Sequence, residues 1–243
     1  MSDNYFNTLR DCAVLIGDAV KAHRGRGLSG QRDSQYHLDV IADEVAVRIL
    51  VGAGYRVISE ESGVTGYGEL TVVVDPIDGS TNCDRGIPFY ATSLAVLRGD
   101  ELVAGLVMNQ ATGTVYEAQR RAGALRDGVP IRASEQEDFS KAIVSFSGLP
   151  TRHSGWEQYR SLGAASLEIC LVADGSLDAF AVAQQSTLQP WDYLAGLLIA
   201  REAGAHAQDY FGQPLDTSTM VARHPLFAAT AELLDTMVKA QSL

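Results

Sequence analysis

Apolar residues recur at helical spacing near the start of the chain: Leu9, Ala13, Ile16 and Val20 fall three or four positions apart. This predicts an amphipathic helix over 3–22. Residues 24–37 lose the period and carry Gly25, Gly27 and Gly30, which predicts a mobile loop. The helical pattern returns over 39–52, with Val40, Val47 and Leu50 on one side, Asp43 and Glu44 among them, and Gly52 and Gly54 to end it. The spacing then shortens to strand runs at Tyr55–Ser59, Leu70–Val74, Thr92–Leu97, Leu102–Asn109 and Val115–Ala118. The run Thr71-Val72-Val73-Val74 is apolar and β-branched, as a strand buried on both faces requires.

A looser segment, Ser134–Lys141, divides the chain into halves at 1–140 and 141–243. Beyond it the pattern predicts a strand at Ala142–Phe146, a helix at Ala164–Ala173, a strand at Leu177–Val182 and a helix at Asp192–Ala203. A short strand near Ala205 and a closing helix after Thr230 complete it. The first half reads as α+β and the second as α/β, which together make a layered sandwich of helices and sheets.

The 243 residues suffice for one large domain or two small ones sharing an interface. A net charge of −11 argues against nucleic acid or an anionic membrane as partner. If the substrate is itself an anion, that field must be reversed locally, by metal cations or by helix N-termini. Cys12, Cys83 and Cys170 are odd in number and form no C-x-x-C pair, so no disulfide framework is expected. The first residues lack the basic and apolar regions of a signal peptide, and no apolar run reaches the ~18 residues of a bilayer span. A soluble cytoplasmic protein is the expectation.

The chemistry concentrates in Asp75-Pro76-Ile77-Asp78-Gly79-Ser80-Thr81-Asn82. A buried strand is expected to end at Asp75, because Pro76 has no N–H for a central ladder. Asp78 follows three residues later, so a turn can bring both carboxylates to one point. Gly79 allows close backbone approach, and Ser80-Thr81-Asn82 resemble a helix start with free N–H groups. Two carboxylates beside free donors can hold a divalent cation and a phosphate together. Asp, Pro, Gly and Ser also make ordinary turns, and on this stretch alone that reading stays open. Glu60-Glu61-Ser62 follows the apolar Val57-Ile58 and can supply a third carboxylate to an oxygen-rich site of the kind magnesium prefers. Asp192, after Pro190-Trp191, is either a further ligand or a plain helix cap.

These three segments, in their order and spacing, resemble the inositol monophosphatase-like phosphatases, as does Arg160-Ser161-Leu162-Gly163-Ala164-Ala165 before a helix. The resemblance implies a five-layered αβαβα sandwich and a homodimer. It implies two or three Mg²⁺ ions held by Glu60, Asp75, Asp78, Asp192 and the Ile77 carbonyl, with Asp75 bridging two of them. Ser80, where the family usually has threonine, would orient the attacking water with Glu60, and Asp78 would stand with them in the catalytic group. The backbone N–H groups of Gly79, Ser80 and Thr81 would receive the phosphate. Gly163 and Ala165, together with Asp192, would face the substrate alcohol. The implied reaction is hydrolysis of a small phosphate ester by direct in-line transfer to water, with inositol 1-phosphate first among substrates. Fructose 1,6-bisphosphate, histidinol phosphate and adenosine 3′,5′-bisphosphate are alternatives on the same scaffold.

Two departures bear on substrate choice. Gln185 stands where many relatives carry an acid that grips a substrate hydroxyl, and Gln31-Arg32-Asp33 stand where many carry a loop lysine. Other phosphatase chemistries fit poorly: there is no D-x-D at the acidic motif, no C-x5-R, no P-loop and no H-x-x-x-H zinc spacing. A non-catalytic binding or regulatory relative is the alternative of a different class, and loss of a metal carboxylate would favour it.

Overall fold

The computed structural model describes residues 5–23, 25–216 and 219–240. The expected first helix is α1, Tyr5–Ala22 (residues 3 and 4 of the expectation lie outside the described residues), and the second is α2, His37–Gly52. Both bury one face, Leu9, Ala13 and Ile16 from α1 and Leu38, Ala42, Ala46 and Leu50 from α2. They cover one side of an eight-stranded sheet ordered β2-β1-β3-β4-β5-β6-β7-β8. Its strands are β1 (Arg56–Ser59), β2 (Gly63–Thr65), β3 (Leu70–Asp78), β4 (Ala91–Arg98), β5 (Glu101–Asn109), β6 (Val115–Gln119), β7 (Ala124–Arg126) and β8 (Val129–Pro130).

The other side of that sheet meets α4 (Ala165–Ala173) and α5 (Pro190–Glu202), which are buried almost all round. A helix hydrophobic on every side needs partners on every side. The second set of partners is a five-stranded sheet, order β10-β9-β11-β13-β12, comprising β9 (Ile143–Ser147), β10 (Gln158–Arg160), β11 (Ala179–Val182), β12 (His206–Asp209) and β13 (Pro225–Ala228). On its far side lies α6, Ala231–Ala240, which buries Leu233, Leu234 and Met237. The layers therefore run helix, sheet, helix, sheet, helix, as expected.

Residues Val72, Val73 and Val74 have no exposed surface, as the β-branched run predicts. The helix start expected at Ser80-Thr81-Asn82 is a short helix, α3 (Ser80–Arg85). The fully buried β13 escapes the pattern because it is four residues long and begins with proline. Cys12, Cys83 and Cys170 are free, and no helix among the described residues is long and apolar enough to cross a membrane.

Candidate active site

Strand register sets the first two carboxylates side by side. β1 runs parallel to β3 with Ser59 opposite Val74, so the next residue on each strand is an acid, Glu60 and Asp75. The Glu60 N–H donates to the Val74 carbonyl at 3.2 Å and carries the pairing one step further. Asp43, buried on α2, braces the segment by accepting from the Ser59 hydroxyl at 2.5 Å and the Ser62 hydroxyl at 3.1 Å.

The expected end of the strand at Asp75 is corrected: β3 continues to Asp78 through a bulge. Asp75 pairs with Ser93 and Asp78 with Ala91, so Pro76 and Ile77 together oppose Thr92 alone. Pro76 is tolerated because a bulge already breaks the ladder there. The Thr92 hydroxyl donates to the Pro76 carbonyl at 2.8 Å. The extra residue also reverses the alternation of side chains. Ser93 and Ala91 share a face, so Asp75 and Asp78, three apart, share one too.

Opposite this face is the N-terminus of α5. Helix α5 begins at Pro190, earlier than predicted, so Asp192 is its third residue and accepts the Gln189 N–H at 2.7 Å. The Ser93 hydroxyl ties the helix to the sheet by donating to the Trp191 carbonyl at 2.9 Å. One carboxylate oxygen each from Glu60, Asp75 and Asp192 then lie within 4.8 Å of one another. Asp78 borders this group but turns its oxygens to the start of α4, accepting from Ser166 N at 2.7 Å, Ser166 Oγ at 2.5 Å and Ala165 N at 3.2 Å.

Buried Asp75 and Asp78, half-buried Asp192 and Glu60 at the exposed rim raise one another's pKa. Desolvation is the largest cause throughout, followed for Glu60 by the charges of Glu61, Asp78 and Asp39, which push it to about 7. Asp75 is held well above the usual carboxylate range by burial and by Glu60, Asp78 and Asp192. Asp192 is raised likewise by burial, Asp78 and Glu60. Asp78 reaches about 6, because its bonds to Ser166 oppose the desolvation. Asp75 Oδ1 is buried with no hydrogen-bond partner. Oxygen-only donors, surplus negative charge and an orphaned carboxylate oxygen fit a hard divalent cation.

Gly79 joins the bulge to α3 in the left-handed region, φ 86°. A Cβ there would come within 2.8 Å of the Gly163 carbonyl oxygen, so only glycine allows this approach. The opening N–H groups of α3, from Ser80 and Thr81, have no partner within the helix. The Ser80 hydroxyl donates to the Ile77 carbonyl at 2.8 Å and also contacts Asp39.

Asp39 was not among the residues expected at the site. It is the third residue of α2, where one oxygen accepts the Tyr36 N–H at 2.8 Å and the other, buried, has no partner. It shares a cleft of about 140 Å³ with Arg32, Gln35, Glu60, Glu61 and Ser80. An acid in the first turn of a helix entered from a glycine-containing loop was the available signal, but that position is also an ordinary capping position. The expected mobile loop is folded onto the site, although its Arg24 lies outside the described residues. Arg32 and Gln35 both bond Glu61, the Gly27 N–H donates to Asp84 at 2.7 Å, and Tyr36 Oη and Thr81 Oγ1 are 3.1 Å apart.

A second cleft of about 200 Å³ opens on the α4 side, lined by Asp78, Ser161, Gly163, Ala165, Glu168 and Asp192 among others. Gly163 and Ala165 are both in its lining. Gln185 is exposed and is not among the residues lining the cleft. The turn closed by Ser186 N–H on the Ala183 carbonyl, at 2.8 Å, brings Ser186 against Gly148 instead.

The sequence matches the inositol monophosphatase family over residues 11–242. It is 33% identical over 246 residues to a fructose-1,6-bisphosphatase/inositol-1-monophosphatase of Thermococcus kodakarensis, covering 98% of this chain and 94% of the relative. It is 34% identical over 248 residues to a putative Nus factor SuhB of Neisseria meningitidis, covering 91% and 94%. Among solved structures, a hypothetical protein from Pyrococcus horikoshii with similarities to inositol-1 monophosphatase superposes with a TM-score of 0.84 at 27% identity, covering 96% of this chain and 98% of that one.

Proposed function

From the premise that the chain belongs to the inositol monophosphatase family, we propose that this metal-dependent phosphomonoesterase acts on a small neutral polyol phosphate, inositol 1-phosphate first, with Mg²⁺ as its metal. The observation that carries the reading is the meeting of Glu60, Asp75 and Asp192 around a buried, unpartnered Asp75 oxygen. Magnesium suits a donor set made only of oxygen. Glu60, Asp75 and Asp192, with Asp78 and the Ile77 carbonyl beside them, would hold two or three ions. Bound there, such ions would screen the phosphate charge and lower the pKa of a bound water.

The chain's own groups do the rest. The N–H groups of Gly79, Ser80 and Thr81 receive the phosphate at the start of α3. Ser80 and Asp39 orient the attacking water, with Asp39 Oδ1 free to take its proton, and Glu60 completes that side. The alcohol lies toward Gly163 and Ala165. Small neutral residues there, Ser147 and Ser161 included, suit hydroxyl groups rather than a purine or a second phosphate. Arg160, the cation of that loop, is turned onto the Tyr159 carbonyl and Gln158 Oε1, each at 2.9 Å. This favours a monophosphate over fructose 1,6-bisphosphate, which remains the alternative substrate. A homodimer in the cytoplasm belongs to the same reading, and light scattering tests the dimer.

The deciding experiment is phosphate release from a panel of esters, with Mg²⁺ and with chelator. Mg²⁺-dependent release, fastest from inositol 1-phosphate, is expected. Equal release in chelator would sink the metal-dependent reading, and no release from any ester would favour the regulatory alternative.

A further inference from the structure

The phosphate motif and the alcohol-side loop are physically joined at one peptide unit. Asn82, two residues after Ser80, donates from Nδ2 to the Leu162 carbonyl and to the Phe89 carbonyl, each at 2.8 Å. From the opposite side Glu168, buried on α4, accepts the Leu162 N–H at 2.9 Å and the Gly163 N–H at 3.3 Å. The Ser145 hydroxyl, at the floor of the second sheet, holds the same carboxylate. Leu162 is thus gripped at its carbonyl by α3 and at its amide by α4, and Gly163, φ 85°, follows at once. A Cβ on Gly163 would lie 3.1 Å from Asn82 Nδ2, so the fit between the two segments is close.

We propose that Asn82 and Glu168 form a two-sided clamp on Leu162 that sets the distance between the phosphate end of the site and the alcohol pocket, and so determines which alcohols are accepted. This rests on the phosphatase reading above. Asn82 is not in the lining of the alcohol-side cleft, and Glu168, which is, has its carboxylate engaged by Leu162, Gly163 and Ser145; both act by positioning Ser161–Ala165. The cleft's width at Gly163 follows from where the clamp holds that loop, whereas Glu60, Asp75 and Asp192 are supported separately, by strand register and by the α5 N-terminus; of the acidic group only Asp78 leans on the same side, through Ala165 and Ser166. Loosening the clamp therefore affects recognition of the alcohol more than reaction at phosphorus.

The test compares kcat/KM for inositol 1-phosphate with that for p-nitrophenyl phosphate, an ester without polyol hydroxyls, in the full chain with Mg²⁺. Glu168→Gln keeps shape but sets an amide N–H₂ against the Gly163 N–H. It is expected to lower the ratio of the two constants about tenfold, the effect of roughly one lost charged hydrogen bond. Asn82→Ala is expected to act in the same direction. Because both residues act on one peptide, the double variant should lose less than the product of the single losses. Glu168→Asp, which keeps the charge, should restore part of the ratio. Thermal melting alongside identifies folded variants. If Glu168→Gln does not fold, Asn82→Ala carries the same prediction. Equal losses on both esters, or independent multiplication of the two effects, would overturn the clamp while leaving the phosphatase reading intact. A parent protein inactive on both esters would overturn the reading beneath it.

Discussion

Asp39, in the first turn of α2, contacts the hydroxyl of Ser80, the first residue of α3, while its second carboxylate oxygen stays buried and unpartnered. Two helix starts thus bring an acid and a hydroxyl together beside Glu60, where the proposed mechanism would hold the attacking water. Asp39→Asn keeps the volume but removes the proton acceptor, so kcat should fall by about two orders of magnitude or more. Ser80→Ala should lower kcat more than it raises KM, since water orientation acts on the chemical step. Steady-state kinetics on inositol 1-phosphate checks both. A pure KM effect would reassign the pair to substrate binding.

The metal carboxylates yield a prediction in which activity and stability move in opposite directions. Asp75→Asn and Asp78→Asn should each abolish most activity with the fold retained. Without metal, Asp75→Asn should melt at a higher temperature than the parent near pH 7, because burial and the neighbouring acids hold Asp75 protonated in the native state while the unfolded chain ionises it, a penalty that asparagine does not carry. Circular dichroism with chelator present measures this. A lower melting temperature would mean that the buried group is better compensated than its orphaned oxygen implies.

Much of this site was legible in the sequence, since Glu60, the Asp75–Asp78 pair and Asp192 each sit at the end of an element that periodicity locates. The manner of their meeting was not. A proline after Asp75 reads as a strand end, and only the pairing with Ser93 and Ala91 reveals the bulge that puts both acids on one face. Asp39 was hidden because an acid three residues into a helix is also what ordinary capping requires. Counting back from Asp192 reaches Gln185 but takes no account of the turn at Ala183–Ser186, within which that residue is exposed. The layer order was readable in outline from the alternation of elements, but the pairing of β13 between β11 and β12 is a long-range choice that no local pattern carries.

The bulge itself can be tested through Thr92, which has no exposed surface. Its hydroxyl donates to the Pro76 carbonyl and accepts from Gln110 Nε2, each at 2.8 Å. Thr92→Val keeps the shape but removes the hydroxyl from the buried Pro76 carbonyl, at a cost of about 1–3 kcal/mol for such a group, while Gln110 Nε2 keeps its other bond, to the Ala13 carbonyl at 2.7 Å. Chemical denaturation should register that loss. Because Pro76 lies between the two aspartates, activity should fall as well. Unchanged stability would mean that water or relaxation replaces the hydroxyl.

The last prediction joins metal and pH. Folding raises Glu60 from 4.5 to about 7, chiefly by desolvation and then by Glu61, Asp78 and Asp39. It raises Asp78 from 3.8 to about 6, where desolvation outweighs the Ser166 bonds. Asp39 also rises from 3.8 to about 6, against the pull of Ser80 and Tyr36. A carboxyl whose folded pKa exceeds its unfolded value binds protons more tightly in the native state, so between the two values stability falls as pH rises. In metal-free protein these groups should therefore favour folding near pH 4 and oppose it progressively up to about pH 7. A bound divalent cation reverses the preference, because it holds the same carboxyls ionised and must displace their protons at low pH. The rise in melting temperature on adding Mg²⁺ should accordingly be small near pH 5 and grow toward pH 7.5. Taking the difference between loaded and chelated protein at each pH cancels the titration of groups remote from the site. A difference that stays constant across that range would show that the metal does not bind through these carboxylates.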